Sequence, residues 1–394
     1  VFAHIFNDMN QTVVPAALPF LIAQQHLSYA SAATLVLTLT IASSVVQPVF
    51  GYITDKRSLP WLFPTGLLLA LTGSGLIGFA PNFAALVACT LLTGIGVAAF
   101  HPEASRYANL VSGDRRATGM GFFGLGGNIG FASGPILVTP AVLAFGLKGT
   151  ALVVIPGILY ALYVGFFQVR RYAQFRKRAR TARSRAERDD RWGAFGLLTT
   201  MIVLRSMAFF GIVTFTPLFF IGVLGTTKAQ GNAALAMTLI AAALGTVSGG
   251  RLADRYDRRL VIAISCALGA LLAAAIGVAA GAHAGIVAIC VLFVVMAFCY
   301  QWGSTPPIVL GQEYLPTRIG TASGVTLGLA ISIGGFGAPL LGHLADARGL
   351  IAVIFAIAGL ALLAFFATLS LPAVRERTVE VRSANLQTTA TTSS

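Results

Sequence analysis

Helix-length apolar runs follow one another from Val1 to Pro372, with only short breaks of glycine, proline and charge between them. About 20 apolar residues carry an α-helix across a bilayer. Twelve such runs can be placed, at 1–24, 31–53, 62–80, 83–104, 117–139, 149–168, 194–221, 229–249, 260–281, 286–311, 319–343 and 350–372. A helix satisfies its own backbone hydrogen bonds in lipid, so the expected fold is an all-α integral membrane protein of twelve transmembrane helices. Composition agrees, because 56% of the 394 residues are hydrophobic and 10% are charged, whereas a soluble domain carries about a quarter charged residues. Twelve spans leave no length for an appended catalytic domain. The runs are continuous rather than alternating over roughly 10 residues, which argues against an outer-membrane barrel.

The net charge of +14 would suggest nucleic acid on a globular surface, but here it sits in loops. If residue 1 is cytoplasmic, only Lys148, Lys228 and Arg348 fall in outside loops and only Arg205 lies within a span. Every other lysine and arginine falls inside, ten of them between Arg170 and Arg191. The positive-inside rule then places both termini and the basic linker at 169–192 in the cytoplasm, and the linker is expected to touch anionic lipid headgroups, with no nucleic-acid partner. Cys89, Cys266, Cys290 and Cys299 lie in apolar runs without CxxC spacing, so neither a disulfide framework nor a metal site is indicated. The first run contains His4, Asn7, Asp8, Asn10 and Gln11 and no basic leader, so it reads as a polar-striped span. It is already under way at Val1, which implies a start further upstream.

Cutting at the linker gives two six-span bundles, 1–168 and 193–372, followed by a cytoplasmic tail at 373–394. Pro19 pairs with Pro217, Gly51 and Asp55 with Gly250 and Asp254, and Gly130 and Pro135 with Gly334 and Pro339, at offsets of 198 to 204 residues. A duplicated six-helix unit places a substrate site at the interface between the copies.

With these landmarks the chain resembles the major facilitator superfamily over all twelve spans. The loop Gly250-Arg251-Leu252-Ala253-Asp254-Arg255-Tyr256-Asp257-Arg258-Arg259 is similar to that family's G-x-L-A-D-R-x-G-R-R loop, and Gly51-Tyr52-Ile53-Thr54-Asp55-Lys56-Arg57 is a partial copy. The resemblance implies a conformational gate at Gly51, Asp55, Arg106, Gly250, Asp254, Arg255 and Arg258. Physically, the glycines permit close helix approach and each aspartate can sit against the positive N-terminus of a neighbouring helix. In the fifth span, Gly121, Gly130, Gly134 and Pro135 are similar to the family's antiporter signature G-x8-G-x3-G-P, although Val138 and Thr139 replace its final glycine pair. Small residues on one face let membrane helices pack closely. His4-x-x-Asn7-Asp8, Phe100-His101-Pro102-Glu103-x-Ser105-Arg106 and Gly126-Gly127-Asn128-x-Gly130 narrow the resemblance to fosmidomycin-resistance-type efflux proteins.

His4, Asn7, Asp8 and Gln11 follow i, i+3, i+4, i+7 spacing and share one face of the first helix. A carboxylate in a bilayer needs a proton, a cation or a basic partner, so Asp8 is the first proton-coupling candidate, with Glu103 and His101 as the others. The alternative places Asp8 near the helix end, hydrated. Glu103 and Arg106 can pair along one helix face, as a structural ion pair or as part of a proton site, with His101 pointing elsewhere. By resemblance, spans 1, 4, 7 and 10 line the cavity. Arg205 in span 7 is then a substrate anchor or a partner of Asp8, and His4, Asn7, Gln11, Asn128, Tyr300, Gln301, Trp302 and Thr305 supply further polar and aromatic groups to the substrate site, unless Trp302 only packs between helices.

The expected function is proton-coupled export of a small organic molecule or drug, fosmidomycin-like antibiotics included. No cofactor beyond the proton gradient is expected, and the protein is expected to act as a monomer. A symporter importing a small organic anion is the alternative. An intramembrane enzyme would need a nucleophile placed with a base, and neither Gly-x-Ser-x-Gly nor His-Glu-x-x-His occurs.

Overall fold

The computed structural model describes residues 1–56, 59–111, 116–169, 190–316, 322 and 325–373. The first half is built from α1 (Phe2–Gln25), α2 (Tyr29–Val45), α3 (Gln47–Lys56), α4 (Leu62–Leu76), α5 (Phe83–Val111), α6 (Arg116–Phe145) and α7 (Thr150–Tyr163). The second half comprises α8 (Trp192–Leu224), α9 (Lys228–Arg255), α10 (Arg258–Gly281), α11 (Ile286–Tyr300), α12 (Pro306–Tyr314), α13 (Ala330–Gly335), α14 (Gly337–Arg348) and α15 (Leu350–Leu369). Among the described residues there is no strand. Nine helical stretches among them are long and apolar enough to cross a membrane. One of these, Phe122–Phe167, is two antiparallel helices joined at Gly146–Gly149. The polar stripe of α1 keeps it out of that group, although its length suits a span.

Two spans read as continuous are broken. The second stops at Val45 and restarts at Gln47, next to Pro48, which has no N–H to give to the carbonyl four residues back. The tenth stops at Tyr300, makes a tight turn through Gln301–Gly303 and restarts at Pro306. The eighth span runs on to Arg255, so Asp254 belongs to its last turn rather than to a loop. The expected eleventh span at 319–343 lies partly outside the described residues, as do nearly all of the basic linker and the tail. The side chain of Asp55 also falls outside them, and Gly121 is placed only as backbone within α6.

Asp190 and Arg191 lie at the same end of the bundle as Leu371–Ala373. Arg191 donates from its backbone N–H to the Tyr314 carbonyl and from Nη1 to that of Ala373. The two halves meet toward the opposite end, where α14 packs on α2 and α9 on α6. Asp346 accepts hydrogen bonds from the Tyr29 and Ala30 N–H groups at 2.9 and 3.0 Å, and Gly342 lies against Ala30. Asn232 donates from Nδ2 to the Ala16 carbonyl and to Thr139 Oγ1, both at 2.9 Å. That end is closed by side chains that cross between the halves.

Candidate functional site

The polar stripe of α1 is buried where that helix packs along α6. Gly127, Gly130 and Gly134 of α6 face His4 and Asp8, Ile5 and Met9, and Thr12, in that order. Each has its missing Cβ directed at α1, so the small-residue face read from the fifth span is the seam that holds the striped helix. Thr12 donates from Oγ1 to the Phe131 carbonyl at 2.8 Å and links the two backbones. Pro135 lies inside α6, and its carbonyl accepts from Thr139 Oγ1 at 2.7 Å.

Three side chains converge on this seam. Nε2 of His4 lies 3.1 Å from Oδ2 of Asp8, one helical turn further along α1. Nε2 of His101, from α5, lies 3.3 Å from Oδ1 of the same carboxylate and 3.3 Å from Nε2 of His4. His4 and Asp8 are 6% and 7% exposed, and His101 is half-buried. The far nitrogens are anchored by backbone, His4 Nδ1 on the Phe123 carbonyl at 2.6 Å and His101 Nδ1 on the Val97 carbonyl at 2.9 Å. The Phe123 ring also stacks on His4 at a centroid distance of 3.9 Å. Carbonyls only accept, so each Nδ1 carries a hydrogen and each Nε2 is turned toward Asp8. Asn7 donates from Nδ2 to Oδ1 of Asp8 at 3.0 Å. Asp8 is therefore not a hydrated carboxylate at a helix end.

The sequence treats His101 as a lone intramembrane histidine and assigns no metal site, because His101 stands 97 residues from His4. The packing of α5 beside α1 makes the cluster. Gln11 and Asn128 are half-buried and, among the described residues, make no hydrogen bond to it.

Glu103 and Arg106 do pair, at 3.6 Å, and they work on the neighbouring loop. Fully buried Glu103 accepts from the Leu59 N–H, and Arg106 donates from Nη1 to the Thr54 carbonyl at 2.7 Å. The arginine thus satisfies a carbonyl in the last turn of α3, a favourable place for a cation.

Arg205 does not reach Asp8. Its Nη1 donates to Ser265 Oγ at 3.0 Å and to Cys266 Sγ at 3.3 Å, its Nη2 donates to the Tyr300 carbonyl at 2.8 Å, and the guanidinium lies 4.4 Å from the Tyr300 ring centroid. Tyr300 is 2% exposed and returns its hydroxyl to the Arg205 carbonyl. This lock joins three helices of the second half, and it removes Tyr300 from the set of groups free to meet a substrate. Trp302 packs between helices, its ring 5.7 Å from that of Phe298 and its Nε1 donating to Ser248. It also borders a surface groove of about 510 Å³ with Arg251, Leu252, Asp254 and Arg255. Gln301 and Thr305 are half-buried at the break in span 10.

Among the described residues, no atom lies within 4 Å of where a Cβ would stand on Gly51 or Gly250, whereas Gly249 packs directly on Trp302. Asp254 and Arg255 are exposed in the last turn of α9, and Asp254 caps no helix among the described residues. The capping residue is Asp257, which accepts from the Leu260 N–H at 3.0 Å at the start of α10. Sequence alignment to the loop pattern draws attention to the earlier aspartate, and only the helix boundary shows that the later one has the free N–H groups to satisfy. Arg258 pairs with Glu313 at 2.6 Å, tying α10 to α12.

Comparison with known proteins agrees with this architecture. The profile of the Major Facilitator Superfamily matches residues 1–336. The MFS-type transporter YfnC of Bacillus subtilis (strain 168) is 33% identical over 374 residues, 93% of this chain and 90% of that protein. The fosmidomycin resistance protein of Escherichia coli (strain K12) is 31% identical over 350 residues, 87% of this chain and 84% of that one. Among solved structures, a bacterial homologue of the human lysosomal transporter Spinster, inward-facing and unoccupied, superposes with a TM-score of 0.77 at 15% identity, covering 95% of this chain and 97% of that one. The inward-open xylose transporter XylE of E. coli gives 0.70 at 13% identity, covering 96% of each. Twelve helix-length runs in two matching halves, a profile match across both halves and relatives that span nearly the whole chain place it in the Major Facilitator Superfamily of membrane transporters.

Proposed function

We propose that this transporter exports a small organic molecule or drug, fosmidomycin-like antibiotics included, in exchange for protons across a bacterial plasma membrane. The observation that carries the reading is the buried His4–Asp8–His101 cluster on the helix that packs along the antiporter-type face of α6. Two imidazole nitrogens and the two oxygens of one carboxylate face one another there, and their mutual repulsion requires a proton or another cation among them. Protons fill that role when one lies in each imidazole–carboxylate contact, and a carrier that delivers them on one side and releases them on the other is coupled to the gradient. Similarity to the fosmidomycin resistance protein of E. coli supports the substrate class and the outward direction.

In this reading the basic residues lie with both termini in the cytoplasm and the linker rests on anionic headgroups. The end closed by Asp346 and Asn232 is then the outer one, and the state described is inward-facing. Export proceeds by rocking of the two halves against each other, so that substrate loads from the cytoplasm and protons reach the cluster in the first half from outside. Arg205 holds the second half together in this mechanism and takes no part in charge exchange, which leaves anion import without its anchor. The protein acts as a monomer, without a cofactor and without covalent chemistry.

Counterflow in vesicles with an imposed pH gradient tests the proposal. Fosmidomycin should move against the proton flow, and accumulation in the direction of proton flow would establish symport instead.

A further inference from the structure

We infer that His4, Asp8 and His101 form a binding site for a divalent transition-metal ion of the zinc class. Their ligand atoms all lie within 4.8 Å of one another, and the closest approaches of the three pairs are 3.1, 3.3 and 3.3 Å. A tetrahedral zinc ion with ligand bonds of about 2.0–2.1 Å holds its ligands roughly 3.3–3.4 Å apart. His4 approaches Oδ2 of Asp8 and His101 approaches Oδ1, so one ion seats between the two imidazoles against both carboxylate oxygens, or against one of them after a turn of the carboxylate.

The surroundings match as well. A ligating histidine donates its second ring nitrogen to a carbonyl or carboxylate, which fixes the ring and leaves the lone pair on the ligating nitrogen. The Phe123 and Val97 carbonyls do this for His4 and His101, and the Asn7 amide supports the carboxylate. Gly127 makes the room, since a Cβ there would stand 2.7 Å from Asp8 Oδ2 and 2.9 Å from His4 Cε1. The side chain of His101 is 20% exposed, which gives an ion its approach.

Ligand chemistry selects the ion. Two imidazoles and one carboxylate suit zinc and cobalt, whereas magnesium and calcium take six or more ligands, nearly all oxygen. Three protein ligands leave a fourth position for water or another donor. Binding rests on this geometry alone. Its consequence rests on the coupling role proposed above: an ion seated here excludes the exchangeable protons, so zinc inhibits exchange.

Calorimetry on the full chain in detergent, with Zn2+ and separately with Mg2+, tests the site. One Zn2+ per chain and no Mg2+ should bind. His101→Ala should weaken Zn2+ by roughly 100-fold or more, beyond what loss of an outer-shell partner costs, while His343→Ala, at an exposed position of α14 outside the cluster, should leave binding as in wild type. Because His101→Ala can fail to fold, Co2+ is also titrated into the wild-type protein, where the intense visible bands of four-coordinate cobalt are expected. Equal Zn2+ affinity in wild type and His101→Ala, or only the weak spectrum of six-coordinate cobalt, overturns the site. Vesicles treated with a chelator separate the two proposals. Wild-type pH-driven exchange in Asp8→Asn under those conditions would remove the coupling role, and the calorimetry would still decide whether the metal site exists.

Discussion

Asp346 closes the first turn of α2 from across the interface, with Oδ1 on the Tyr29 N–H and Oδ2 on the Ala30 N–H. The first N–H groups of a helix have no partner within it, and the helix dipole adds to their pull on an anion. A carboxylate from one half thus satisfies the open end of a helix in the other. Asp346→Asn keeps one acceptor and loses the charge, which should cost this closed end roughly 0.3–2 kcal/mol. Spin-label distances between the loop at 26–28 and Gly349 should lengthen in the mutant population. An unchanged distance distribution would show that Asn232 and the glycine contacts hold this end by themselves.

Asp8→Asn retains the shape of the side chain and removes its charge. The mutant should lose pH-driven transport while still binding substrate, because Asp8 joins the two imidazoles through one carboxylate and, among the described residues, touches no other charged group. Counterflow measured beside equilibrium binding checks this. Wild-type pH dependence in the mutant would move the coupling role to Glu103.

Arg205→Lys should act on stability and leave ligand charge preference alone. Lysine keeps the charge but cannot span Ser265, Cys266 and the Tyr300 carbonyl together, and it stacks less well on the Tyr300 ring. A loss of about 1–3 kcal/mol is expected, from unmade buried hydrogen bonds, and thermal unfolding in detergent reads it. Calorimetry should show equal affinity changes for anionic and neutral ligands, and a selective loss for the anionic one would restore Arg205 to the binding site.

Glycine substitutions separate packing from motif membership. A Cβ on Gly130 would stand 2.5 Å from the Ile5 carbonyl, so Gly130→Val should destabilise the α1–α6 seam by about 1–3 kcal/mol. Gly250→Ala places its methyl where no atom of the described residues lies within 4 Å, in a helix that favours alanine by up to about 1 kcal/mol, so unfolding should be unchanged or slightly later. Comparable destabilisation of both variants would mean that Gly250 is closely packed after all.

The all-α membrane fold, the two matching halves and the small-residue face of α6 follow from sequence because each rests on local periodicity: runs of helix length, a repeated offset, glycines at helical spacing. The stripe of His4, Asn7 and Asp8 was legible for the same reason. What fills that stripe was not, since His101 reaches Asp8 only when α5 packs beside α1, and no spacing rule spans 97 residues. Arg205 shows the same limit in reverse. Its depth in an apolar span was read as calling for an anionic partner or water, but tertiary packing supplied a hydroxyl, a thiol and a carbonyl from its own half instead of Asp8. The Asp346 bridge was beyond sequence altogether, because a helix end attracts any nearby carboxylate and only the closed arrangement of the two halves decides which one arrives.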